Sequence, residues 1–179
     1  LFVPALDKPE TPGTENEAAK IQSYRPFGKT GFMVSDLATG APENEAILRV
    51  LLKAGVNFID TSELYGNGNN ERLIGKVMKE FDRDKVFIAT KIYAEEAFKD
   101  KQQVIEKVGQ CLDRLQMEYV DCVMIHHVDR ISKLKDEAYH EGIKQLKAEG
   151  KVGYSGLSCH GSAWIEEPVD SLDKILMEA

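Results

Sequence analysis

The feature that most constrains this chain is a recurrence of polar, chemically capable side chains at the ends of short apolar strands. Asp60 follows VNFI, Lys91 follows KVFIAT, His126 follows VDCVMI and Ser158 follows VGYSGL, at intervals of 31, 35 and 32 residues. One strand–helix unit takes roughly 30 residues. Each unit therefore delivers one such group at the same relative place, the carboxyl end of its strand. In a (β/α)8 barrel those ends converge on one rim, where active sites sit. A doubly wound sheet also collects function at carboxyl ends and stands as the alternative. It usually carries a Gly-rich phosphate turn after its first strand, and ATGAPE (38–43) is not GxGxxG.

The segments between these groups fit the barrel reading. SYRPFGKTGFMVS (23–35) reads as a hairpin turning at Lys29, Thr30 and Gly31, followed by a short strand around Asp36–Thr39. A helix from about Glu43 is expected to bury Ile47, Val50, Leu51 and Ala54. Further stripes are Leu73, Ile74, Val77, Met78 and Phe81, then Val104, Val108, Cys111, Leu112 and Leu115. A polar-faced helix spans 136–149, and Leu172, Ile175 and Leu176 belong to a last one. The strands are apolar on consecutive positions, as in a parallel sheet covered by helices. Five strands can be counted where a barrel needs eight, so on the order of 100 further residues are expected beyond the chain. A five-stranded open sheet also leaves an edge exposed to aggregation.

Residues 1–21 read as a tail or linker, with three of the six prolines in the first twenty positions and little periodicity. Residues 22–179 then form one portion of a single barrel domain. Leu1 in place of Met points to something upstream removed or not included. No secretory signal is visible, so the expectation is a cytoplasmic protein, with an upstream signal left open. A net charge of -7 argues against nucleic acid. No apolar run approaches the roughly 18–20 residues of a membrane span. Cys111, Cys122 and Cys159 lack CxxC spacing and read as reduced thiols.

Asp60, Tyr65, Lys91 and His126 form a coherent chemical set. A tyrosine has a reference pKa of about 10 and is a weak acid at neutral pH. A nearby ammonium stabilises its phenolate, and Lys91 on the neighbouring strand is placed to supply one. A buried lysine needs a carboxylate, which Asp60 provides. His126 donates a hydrogen bond to a substrate oxygen. Such a set protonates an alkoxide forming on a reduced carbonyl, and contains no nucleophile–base pair of the serine-hydrolase kind.

Five segments resemble one family. FIDTSELYGNGNNERLIG (58–75) resembles the DTAxxYGxxExxLG signature of the aldo-keto reductases. VFIATK (86–91) resembles their strand ending in lysine, and YVDCVMIHH (119–127) their strand ending in histidine. GKVGYSGLSCH (150–160) resembles their GKVRxIGxSNF segment, and YRPFGKTGFMVSDLATG (24–40) their opening hairpin and first strand. The resemblance implies a (β/α)8 barrel that reduces a small aldehyde or ketone with NADPH, occasionally NADH, by direct hydride transfer and without a metal. It implies Tyr65 as general acid, Lys91 and Asp60 as its tuning pair, and His126 as the group orienting the carbonyl. It implies Asp60, Ser158 and Cys159 as the cofactor-facing set. Cys159 stands where the family has asparagine, and a thiol is the weaker hydrogen-bond partner. His127 stands where tryptophan is common.

Other readings stay open at this level. Asp60 alone suits a helix N-cap, and Lys91 suits a surface lysine or a Schiff-base aldolase. His126 and His127, adjacent on a strand, are expected on opposite faces, against a shared metal. GNGNN (66–70) reads as a flexible loop, Cys159 as a packing residue and His140 as part of a solvated face. A cofactor-binding sensor or channel-associated subunit of the same fold, with incidental turnover, is the alternative to a reductase.

Overall fold

A computed structural model describes residues 20–159 and 170–179; the expected tail therefore lies, for residues 1–19, outside the described residues. Strands β1 (Tyr24–Pro26) and β2 (Met33–Ser35) form the antiparallel hairpin. Then follow α1 (Glu45–Lys53), β3 (Phe58–Asp60), α2 (Asn69–Met78), β4 (Phe87–Ile92), α3 (Lys101–Leu115) and β5 (Val120–Ile125). A short α4 (Ile131–Leu134), α5 (Glu137–Ala148), β6 (Val152–Leu157) and α6 (Leu172–Glu178) complete the order. The sheet is parallel, in the order β3-β4-β5-β6, and Thr39 adds a single parallel bridge beside Ile59. Strands in sequence order joined by helices are the arrangement of consecutive units in a (β/α)8 barrel.

Local chemistry sets the helix starts. Asn44, Asp100 and Asp136 accept the backbone N–H groups of Ile47, Gln103 and Tyr139 at 2.9, 2.9 and 2.8 Å, capping α1, α3 and α5. Asp136 also accepts the Phe98 N–H at 2.8 Å, so one carboxylate ties the loop after β4 to α5. Leu48, Ile74, Val77, Val104, Val108, Cys111, Leu115, Ile143 and Leu146 bury between the helices and strand residues Ile59, Ile88, Ile92, Val123 and Ile125. Gly75 lets α2 approach α3 closely: a Cβ there would lie 2.2 Å from the Leu115 carbonyl oxygen.

The hairpin plugs the amino-terminal end of the sheet. Phe27 stands edge-on to Phe58 and Phe87, with centroids 5.4 and 5.1 Å away, and those two rings stack on each other. Asn57 fixes the hairpin by accepting Ser35 N–H at 2.7 Å and donating to the Met33 carbonyl at 2.9 Å. Tyr154 of β6 donates to the Thr30 carbonyl at 2.9 Å, so the hairpin also reaches the far strand.

Two expectations are corrected and one short helix is added. The strand around Asp36–Thr39 shrinks to the Thr39 bridge, because Asp36 and Ser35 are held in the hairpin by Ser23 and Asn57. Helix α1 turns a different face inward: Leu48 is fully buried, whereas Ile47 is 45% and Val50 67% exposed. With Ile47, Leu48, Val50, Leu51 and Leu52 nearly continuous, the apolar period there defines no single stripe. The one-turn α4 went unforeseen, four residues being too short for a periodic pattern. The other stripes fall as read, and Ile175 of the last helix is buried while Leu176 is exposed.

Candidate active site

Side-chain alternation along β4 explains how a lysine reaches the inner rim. Thr90 donates to Glu71 of α2 at 2.6 Å, so Ile88, Thr90 and Ile92 face the helices. Phe87, Ala89 and Lys91 therefore face the barrel interior. Asp60 closes β3, His126 follows β5 and Ser158 follows β6 on the same rim.

Asp60, Tyr65 and Lys91 meet directly. The Lys91 ammonium donates to Asp60 Oδ2 at 2.6 Å, to the Thr61 carbonyl at 2.9 Å and to the Tyr65 hydroxyl oxygen at 3.1 Å. An ammonium has three N–H donors, and all are committed here. Because the Tyr65 oxygen accepts from Lys91, its own O–H is left to point elsewhere. The His126 ring stands edge-on to Tyr65 with centroids 5.8 Å apart. Lys91 and His126 are buried, while Tyr65 and Asp60 are half-buried, which leaves the polar tips facing the rim.

The loop carrying Tyr65 is pinned along its length. Thr61 N–H donates to the Ala89 carbonyl at 2.8 Å and Glu63 N–H to the Lys91 carbonyl at 3.1 Å. The Glu63 carboxylate accepts Tyr93 N–H at 2.7 Å and the Lys107 ammonium at 2.9 Å. Asn70 accepts from the Thr61 hydroxyl at 2.7 Å and donates to the Pro42 carbonyl at 2.8 Å. This corrects the reading of GNGNN as a flexible loop: Gly68, at φ +79°, caps α2 and Asn69 and Asn70 begin it. Arg114 crosses against Gly68, where a Cβ would sit 2.4 Å from its Cδ. Arg114 also donates to Glu71 at 2.6 Å, and Glu71 is fully buried.

The two histidines do not take opposite faces. The strand ends at Ile125 and His127 has φ +56°, so the pleat no longer alternates and the two rings lie 4.1 Å apart. Among the described residues no group of three or more His, Cys, Asp or Glu could hold a metal ion, and no helix is long and apolar enough to cross a membrane. His140 is exposed and bonds the Leu134 carbonyl.

Ser158 and Cys159 extend the rim past β6. Ser158 N–H donates to the Ile125 carbonyl and its carbonyl accepts Val128 N–H, both at 2.9 Å. With the backbone of Ser158 so engaged, its hydroxyl is the group it can offer a ligand. His160, the last residue of the GKVGYSGLSCH segment, lies outside the described residues. Burial, then the nearby Asp129 charge, pushes the Cys159 thiol above its ordinary range. Burial pushes Cys122 up to about 11 and Cys111 higher still. The thiolate is the reactive form, so iodoacetamide at neutral pH should leave Cys111 and Cys122 unmodified in the folded protein and label both after denaturation. Peptide mass spectrometry checks this, and labelling of Cys111 in the folded state would contradict it.

Sequence reading missed Ser62, whose hydroxyl lies 3.0 Å from His126 Nδ1, and the buried Glu71–Arg114–Thr90 cluster. Ser62 and Glu71 both fall inside the 58–75 segment quoted above, which does not reveal a partner 64 positions away.

Comparisons with known proteins bear on the fold and the family. The pattern of the Aldo/keto reductase family matches residues 27–177. A protein of Glycine max named "Probable aldo-keto reductase 1" is 36% identical over 160 residues, covering 78% of this chain and 45% of its own. A "Probable voltage-gated potassium channel subunit beta" of Oryza sativa subsp. japonica is 30% identical over 130 residues, covering 63% of this chain and 40% of its own. The crystal structure of an aldo-keto reductase from Klebsiella pneumoniae in complex with NADPH superposes with a TM-score of 0.62 at 26% identity. That match covers 75% of this chain and 51% of the other. The chain spans less than half the length of these two curated relatives. The parallel sheet is thus part of a (β/α)8 barrel, and the chain belongs to the aldo/keto reductase family.

Proposed function

We propose that this protein reduces an aldehyde or ketone to an alcohol with NADPH, or NADH in its place, with Tyr65 as the general acid. The observation that carries the reading is the Lys91 ammonium within hydrogen-bond reach of both the Asp60 carboxylate and the Tyr65 hydroxyl oxygen. The polar groups on the rim fit a nicotinamide head: the Ser158 hydroxyl suits its carboxamide, with Cys159 next to it after β6 and Asp60 half-exposed at the end of β3. When bound, a reduced nicotinamide supplies the hydride.

The chain's own residues do the rest. His126 donates to the carbonyl oxygen and orients it. Tyr65 delivers a proton to that oxygen as negative charge develops there. The ammonium at 3.1 Å and its Asp60 partner stabilise the phenolate left behind, and solvent restores the proton. A cytoplasmic location belongs to the same proposal.

A second reading rests on the likeness to the rice channel-subunit protein: a cofactor-binding regulatory subunit with little turnover. A Schiff-base aldolase has less support, because all three Lys91 N–H groups are engaged and no lone pair faces a substrate. A panel of aldehydes and ketones assayed with NADPH, beside quenching of NADPH fluorescence, separates the first two. Steady turnover supports the reductase; quenching without turnover overturns it in favour of the subunit.

A further inference from the structure

We infer that Ser62 is a positioning residue that sets the tautomer of His126, placing the ring proton on Nε2 as the one His126 would donate to the substrate oxygen. The inference rests on the reading of His126 as the group that orients the carbonyl.

Ser62 and His126 are both buried, at 0% and 1% exposure, so bulk water does not compete for their contact. The Ser62 hydroxyl oxygen lies 3.0 Å from His126 Nδ1 and receives Leu64 N–H at 3.2 Å. That oxygen has one proton to give and two acceptors in reach, His126 Nδ1 and the Lys91 carbonyl at 3.4 Å. The Lys91 carbonyl is the longer contact and already accepts Glu63 N–H at 3.1 Å. Distance favours Nδ1, at 3.0 against 3.4 Å, as the acceptor of the serine proton. A neutral imidazole that accepts at Nδ1 carries its hydrogen on Nε2, the nitrogen across the ring.

The loop geometry holds the serine in place. Thr61 and Glu63, its two neighbours, are bonded through their backbone N–H groups to the Ala89 and Lys91 carbonyls of β4. Ser62 is thus locked over the end of β4, while His126 is fixed beside it by its own N–H bond to the Ile92 carbonyl at 2.9 Å. The signature quoted above has alanine where this chain has Ser62. An alanine there offers Nδ1 no donor.

Long-range ¹H–¹⁵N correlation spectra of the histidine rings, with His126 assigned through a His126→Asn variant, test the inference on the full chain. The expected wild-type pattern is a neutral His126 protonated on Nε2. In Ser62→Ala the Nδ1-protonated form becomes populated, and kcat falls about tenfold, the size of one lost neutral hydrogen bond, with NADPH affinity unchanged. Ser62→Cys, a weaker donor of similar volume, falls between the two. A wild-type ring protonated on Nδ1, or a Ser62→Ala protein whose tautomer does not change, overturns the inference even if turnover drops. Retained turnover in Tyr65→Phe would instead overturn the reductase reading, and the spectra would stand independently of it.

Discussion

Tyr65→Phe lowers turnover by about two orders of magnitude or more, as expected for loss of a positioned general acid. The substitution removes one hydroxyl from a half-buried ring and leaves the ring's edge-on contact with His126 in place. Lys91 keeps its bonds to Asp60 and the Thr61 carbonyl, so the rim retains its charge pairing. NADPH binding, read by fluorescence quenching, therefore stays within a few-fold of wild type, taking about 1 kcal/mol as the worth of one peripheral hydrogen bond. The loss falls on kcat. A variant with near-normal kcat would remove Tyr65 from the proton path.

The largest expected effect on stability comes from Glu71→Ala. Glu71 is fully buried, accepts from Thr90 and Arg114 at 2.6 Å each, and joins α2 to β4 and α3. Burial alone would lower the Arg114 pKa; the Glu71 hydrogen bond and charge outweigh it and raise it. Removing the carboxylate leaves a guanidinium with 16% side-chain exposure and a buried hydroxyl without their acceptor. Breaking a buried pair from one side costs roughly 3–5 kcal/mol. Urea unfolding should show a midpoint lowered accordingly, with Glu71→Gln less affected because its amide oxygen can still accept from Thr90. Since Gly68 and Asn70 start α2 against Arg114 and the Thr61 hydroxyl, the same variant should loosen the loop that carries Tyr65. Equal stability of Glu71→Ala and wild type would show that the cluster contributes packing only.

What was legible in the sequence follows from how locally each feature is encoded. Asp60, Lys91, His126 and Ser158 sit at strand ends because strand ends are marked by a change from apolar to polar residues, and the unit length then aligns them. The buried stripe of α3 was readable because Val104, Val108, Cys111 and Leu115 are separated mostly by polar residues. In α1 five of the six residues from Ile47 to Leu52 are apolar, so tertiary position chose Leu48 and Leu52 over Ile47 and Val50. His127 defied the pleat rule because a left-handed residue turned its ring back toward His126. Glu71 reads as an ordinary surface acid of a helix; only the approach of Arg114 from α3 makes its burial tolerable. Ser62 was hidden for the same reason, since its partner comes from another strand.

Tracing one atom tests the central claim most directly. Protein incubated with a carbonyl substrate found in the panel and NADPH carrying deuterium at both C4 positions should yield an alcohol with one deuterium on the former carbonyl carbon. The hydroxyl hydrogen of that alcohol should come from solvent, and product formation should collapse in Tyr65→Phe. Alcohol carrying no deuterium on that carbon, or formed at the wild-type rate without Tyr65, would contradict a proton-delivery site built from Asp60, Tyr65, Lys91 and His126.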